Sequence, residues 1–198
     1  MATTGDLLDL SLRELLASVA SEDPTPGGGS AAAVAIAMSA GLTAMVARAS
    51  GDWKEAKPAV AQADRIRKRV EPLIQVDAEA YEEALVTLTL PERVEPVVRD
   101  MAVGAALARA AEIPLVIAEA GADAACLAAI VADRGTADRR ADAVAAALLA
   151  EAGTRAAGAL VAVNLTVQAG DQRAERAELL AATASDAARE ALRTIRPA

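Results

Sequence analysis

The chain has 198 residues, enough for one domain with a sizeable core, and its formal charge of −8 argues against a nucleic-acid surface. More than a quarter of it is alanine, phenylalanine is absent, and one tryptophan and one tyrosine are the only aromatics, so helix formers abound, strand formers are scarce, and the expected class is all-α. Histidine is absent and cysteine occurs once, at Cys126, which rules out an internal disulfide and all but removes zinc sites and Ser-His or Cys-His nucleophiles.

The N-terminal "DLLDLSLRELLASVA" places Leu8, Leu12, Leu15, Leu16 and Val19 on one face of a short helix, and Ser11 with Glu14 has the spacing of a capping box. Acids stand at Asp6 and Asp9 where a secretory leader carries bases, so a cytoplasmic chain is expected. Next comes "SEDPTPGGGS", a Pro-Gly hinge, followed by a second helix over residues 30–49. No charge occurs between Gly27 and Ala47, which is long enough to span a bilayer, but most of the run is Ala, Ser, Thr and Gly with little transfer free energy. A buried central helix is therefore expected rather than a membrane span, with Val34, Met38, Leu42 and Met45 as one stripe and Ala33, Ala37 and Gly41 as a neighbouring small-residue stripe. The glycines are followed by no Lys-Ser/Thr pair, so a phosphate loop is excluded, and a loop that lets backbone approach a ligand is the better reading.

After a turn around Trp53, one long helix is expected, kinked at Pro72. Further helices are expected over residues 94–111, from Pro114 to before Gly135, over residues 141–168, and from Gly170 to the end, with Cys126 a small core residue of the fifth. No repeat or linker divides these pieces, so the expectation is a single-domain bundle of six to eight helices over residues 1–198.

Several motifs fall in a familiar order: "PTPGGGS" ahead of an alanine-rich helix ending in "MVARAS", then "LIQVDAEAY", "AAEIPL", and an "AD" followed twenty-two residues later by the Asn of "VAVNL". In this the chain resembles the cyclodeaminase/cyclohydrolase family, which comprises methenyltetrahydrofolate cyclohydrolases and the cyclodeaminase half of formiminotransferase-cyclodeaminase. The resemblance implies an all-helical subunit that forms a homodimer and binds a reduced folate beside the Gly-rich loop, with no metal and no cofactor beyond the folate substrate. Carried over, the loop is Pro26, Gly27, Gly28, Gly29 and Ser30, the long helix gives Asp77 with Tyr81, the later Ser-Asp falls on Ala141 and Asp142, and the final Asn on Asn164. Where the family commonly reads Gly-Asn-x-Asn-x-x-Ser-Asp this chain has "GTADRRAD", and Leu160 stands where an Asn is common.

The implied chemistry suits a protein without histidine. The methenyl carbon of 5,10-methenyltetrahydrofolate belongs to an amidinium cation, already electrophilic, so a carboxylate that faces the cation and takes a proton from water suffices. Asp77, among Leu73, Ile74, Val76 and the following apolar residues, is the first candidate; Asp142 is either the second carboxylate or a helix N-cap. Asn164 is either an interhelix partner or a pterin contact, and Arg48, Lys54 and Lys57 are candidates for the glutamate tail. Release of ammonia from a formimino-folate would use the same carboxylates, and a folate-binding homodimer without activity is the third expectation.

Overall fold

A computed structural model of the chain describes residues 5–89, 95–165 and 170–195, and among these residues there is no strand. Eight α-helices follow in order: α1 Leu12–Val19, α2 Gly28–Ala49, α3 Ala56–Val70, α4 Leu73–Leu88, α5 Pro96–Ala110, α6 Glu112–Arg134, α7 Arg140–Asn164 and α8 Gln172–Arg193. Short 3-10 turns at Leu7–Asp9 and Ala137–Arg139 lead into α1 and α7.

Local chemistry explains most boundaries. The Ser11 hydroxyl accepts the Glu14 N–H while the Glu14 carboxylate accepts the Ser11 N–H at 2.8 Å, completing the expected capping box of α1. Pro72 ends one helix and starts another instead of kinking a single one. With no N–H and a ring that clashes with the carbonyl four residues back, it stops α3, whose last turn carries Arg67, Lys68 and Arg69 in favour with the helix dipole. Pro96 opens α5 at a position where its missing N–H costs nothing. The helix expected over residues 141–168 begins at Arg140 and ends at Asn164; residues 166–168, like residue 94 of the fourth expected helix, lie outside the described residues.

The bundle is organised around α2, α6 and α7, with α3 and α8 on its flanks. Helices α2 and α7 run antiparallel: Gly28 at the start of α2 meets Leu160 near the end of α7, and the Ser50 hydroxyl after α2 accepts the Thr136 N–H ahead of α7 at 2.8 Å. Where the three central helices cross, Ile36 of α2 is wholly buried against two glycines, Gly121 of α6 and Gly153 of α7. A Cβ on Gly153 would stand 2.7 Å from Ile36 Cγ1 and 3.0 Å from the Ala32 carbonyl, so only glycine permits this approach. Helices α4 and α5 form a hairpin at one end, joined through Ala84, Ala106 and Ala110.

Three stretches, Gly28–Ala49, Pro96–Arg134 and Ala137–Asn164, are long and apolar enough to cross a membrane, yet half or more of each apolar window is buried inside the bundle. Helix α2 is central as expected, and the face it turns inward is built mostly of small residues. The small residues Ala33, Ala40, Ala44 and Ala47, with Ile36, face the core, while Met38 is 57% exposed and Val34, Leu42 and Met45 are half-buried. Close helix packing selects the face with the least side-chain volume. Helix α1 likewise turns Leu12, Leu16 and Val19 outward. Cys126 is exposed rather than in the core, because Ala122, Ala124, Ala125 and Ala128 carry the burial of that part of α6.

The Ile36 notch yields a stability prediction. Gly153→Ala should lose about 1–3 kcal/mol by overpacking. Gly158→Ala, whose Cβ meets the Ala177 carbonyl at an ordinary 3.5 Å, should be neutral or gain up to about 1 kcal/mol from helix propensity. Thermal unfolding of both variants checks this; a Gly153→Ala chain melting with the wild type would show that the three helices are not locked on Ile36.

Candidate functional site

The N-terminus of α2 lacks a side-chain cap of its own. Gly27, the N-cap, has extended backbone and nothing to offer the free N–H groups of the first turn. Helix α4 supplies the missing group: the Asp77 carboxylate accepts the Ser30 N–H, and the Ser30 hydroxyl in return donates to the Ile74 carbonyl at 2.7 Å. Gly29 makes this possible, since a Cβ there would occupy the space of the Asp77 carboxyl group. Among glycines 27–29 none has a positive φ, so the loop needs glycine for close approach and not for backbone conformation. The critical position is Gly29; a Cβ on Gly28 would only touch Leu160 at 3.7 Å.

Asp77 is 9% exposed and lines a cavity of about 250 Å³. Thr25, Gly27, Gly28 and Gly29 form one side, Tyr81 stands one helical turn beyond Asp77, and Pro114, Leu160, Val163 and Asn164 close the other. Pro26 is buried beside the loop, which is fastened to α4 by the Thr25 hydroxyl donating to Glu82 at 2.6 Å. Burial pushes the Asp77 carboxyl up from its ordinary 3.8 to about 6, against the Ser30 hydrogen bond, which pulls it down. The result is a carboxylate that can take and return a proton near neutral pH, in a pocket with largely apolar walls.

Asn164 takes the interhelix role expected of it and also stands on the cavity wall. Its Nδ2 donates to the Ala110 carbonyl at 3.1 Å, and the residue lines the cavity. With Arg173, which donates to the Ala108 carbonyl at 2.7 Å, it satisfies the last carbonyls of α5 at the cleft's rim. The sequence did not single out Pro114 or Val163 as cleft wall, and marked Leu160 only as a departure. The spacing of Leu160 and Val163 from Asn164, four residues and one, was the available signal.

The other sequence candidates lie elsewhere. Arg48 is twenty residues along α2 from Gly28, about 30 Å away. It is paired with Asp64 at 2.6 Å, and with Trp53, Lys54 and Lys57 it lines a separate, open depression. Asp142 sits at that same far end, exposed in the first turn of α7. It is not the N-cap, because α7 begins earlier and its cap position is Arg139. The "GTADRRAD" segment therefore does not touch Asp77 within one subunit.

Comparison with known proteins fits this architecture. Residues 11–194 match the family described as formiminotransferase-cyclodeaminase. The chain is 32% identical to a methenyltetrahydrofolate cyclohydrolase of Methylorubrum extorquens, over 78% of each chain. Its fold is similar to the crystal structure of formiminotetrahydrofolate cyclodeaminase from Thermotoga maritima, with a TM-score of 0.84 at 24% identity, covering 96% of this chain and 97% of that one.

The raised Asp77 value has a thermodynamic consequence. Folded Asp77 binds its proton more tightly than the unfolded chain does, so its contribution favours folding below about pH 4 and is lost as the pH rises through about 6. Asp77→Asn should remove that penalty, giving a stability advantage over wild type of at most about 2–3 kcal/mol at pH 8 that vanishes near pH 4. Denaturant unfolding of both proteins across this range checks it; a difference independent of pH would show that Asp77 is not desolvated.

Proposed function

The chain belongs to the formiminotransferase-cyclodeaminase family, and from that premise we propose that it hydrolyses 5,10-methenyltetrahydrofolate to 10-formyltetrahydrofolate with Asp77 as general base. The observation that carries the reading is one desolvated carboxylate, proton-active near pH 6, on the wall of a cavity beside a glycine loop. A cavity of about 250 Å³ suits the fused rings of the pterin head, being smaller than the roughly 300–1,000 Å³ typical of sites that engulf a whole drug-sized ligand. The aminobenzoyl-glutamate tail then lies outside it.

The electrophile needs no activation. Its cationic N–C–N unit is drawn to the Asp77 carboxylate, an attraction strengthened by the low dielectric of the cleft. A water attacks the methenyl carbon, forming the C–O bond, while Asp77 takes one of its protons. As the carbon–N5 bond breaks, Asp77 returns that proton to N5, and the hydroxyl proton leaves to solvent as the formyl C=O forms. Cation plus water thus gives the neutral formyl product and one proton. Gly28 and Gly29 bring backbone to the ring face, and Asn164 and Tyr81 edge the opening. The chemistry calls for no cofactor beyond the folate. Ammonia release from formiminotetrahydrofolate, which the family's description favours as a second reading, would place a formiminium cation against the same carboxylate.

Parallel assays of methenyl-folate hydrolysis and of ammonia release test the assignment. With the methenyl substrate, Asp77→Asn should lower kcat by about 10²–10⁴, the usual cost of a lost general base. In the wild type kcat/KM should climb with pH to a plateau above about 6, where the free carboxylate is ionised. Turnover by Asp77→Asn within about threefold of wild type, far short of that cost, would remove Asp77 from the mechanism.

A further inference from the structure

The cleft sets two unlike walls around the N-terminus of α2. A Cβ on Gly29 would fall within the Asp77 carboxyl group, whereas a Cβ on Gly28, the residue before it, would meet the Leu160 methyls at 3.7 and 3.9 Å. The backbone of two adjacent glycines is therefore the floor, with a carboxylate over one and a hydrocarbon side chain over the other. Leu160 reaches this place because it stands one turn before Asn164 on α7, on the side of the helix that lines the cavity. It is half-buried, so its methyls are cleft surface and not core.

The two reactions considered for Asp77 differ in what they set against that wall. In methenyl hydrolysis the attacking oxygen brings two protons, gives one to Asp77 and sheds the other as the formyl C=O forms. Its need for hydrogen-bond acceptors falls as the reaction proceeds. In ammonia release N10 attacks the formimino carbon, forming the C–N10 bond, and the N10 proton passes through Asp77 to the exocyclic nitrogen, whose bond to carbon then breaks. Formiminium cation thus gives methenyl cation and ammonia, and the departing nitrogen gains a third N–H while still inside the cleft. Asp77, which already accepts the Ser30 N–H, can take one of these donors, but the side toward Gly28 meets the Leu160 methyls. A donor turned from water to hydrocarbon loses its hydration and gains no acceptor in return.

We infer that Leu160 determines the specificity of this cleft: its hydrocarbon wall selects the methenyl cation, whose reacting N–C–N unit carries no N–H, over the formimino cation, whose C=NH2 group and departing ammonia need an acceptor there. The inference deepens the folate reading and rests on it. It also gives a chemical meaning to the leucine at this position, since an amide would offer a carbonyl oxygen where the methyls now stand.

Parallel assays of the full chain with 5,10-methenyltetrahydrofolate and with formiminotetrahydrofolate test it, each yielding kcat and KM. Leu160→Asn should move the ratio of the two kcat/KM values toward ammonia release by about 5- to 100-fold, the discrimination that one buried hydrogen bond carries. The gain should fall mainly in kcat for ammonia release, because the third N–H exists only as the nitrogen leaves. Leu160→Met, which keeps the wall apolar, should leave the ratio where the wild type has it. Leu160→Gln carries the same amide on a longer stem and should repeat the shift, so the test survives a Leu160→Asn chain that does not fold. A ratio that neither amide moves, or that Leu160→Met moves as far, overturns the assignment. Methenyl hydrolysis by the wild type that Asp77→Asn abolishes would leave the folate reading standing in that case. A wild type that turns over neither substrate ends the reading, and the assignment with it.

Discussion

Absent side chains set this structure. At Gly121 and Gly153 the backbones of α6 and α7 close on Ile36 of α2, and at Gly29 the first turn of α2 closes on Asp77 of α4. The first contact fixes the position of α2 in the bundle; the second converts that position into a site. Large side chains at any of the three would hold the helices apart, and the alanine-rich composition serves the same end along the rest of each interface. The carboxylate is thus aimed by the packing of the whole bundle, not by a mobile loop.

At Asp77 two opposing effects are balanced. Desolvation disfavours the charged carboxylate, while the Ser30 N–H and the positive end of the α2 dipole favour it. Burial wins, but not completely, which leaves a group that is ionised at neutral pH and still basic enough to hold a proton in passing. A solvent-exposed Asp would be too weak a base, and a fully isolated one would stay protonated. A cationic substrate suits this site because it supplies the counter-charge that burial has removed.

Much of this was legible in the sequence. Alanine content and missing aromatics gave the all-α class, Ser11 and Glu14 marked the start of α1, and the glycine loop with Asp77 pointed to the cleft. Three things were not legible. The face of α2 that is buried could not be chosen by hydrophobicity, because close packing favoured Ala33, Ala40 and Ala44 over the larger Met38 and Leu42. The glycine requirement at position 29 depends on a tertiary neighbour forty-eight residues away, so local turn logic could not rank the three glycines of the loop. Motif order along the chain also grouped Arg48, Lys54 and Asp142 with the loop, although antiparallel helices carry them to the opposite end of the subunit.

The central claim is that the gap left by Gly29 seats a desolvated Asp77 on the α2 N-terminus. Carbon-13 NMR titration of the Asp77 carboxyl carbon measures this directly, with Asp77→Asn to assign the resonance. The account predicts a midpoint of about 6 in the wild type and a shift toward the ordinary 3.8 in Gly29→Ala, where the added Cβ forces the carboxylate out toward water. A wild-type midpoint near 3.8, or one near 6 that Gly29→Ala leaves unmoved, would contradict it.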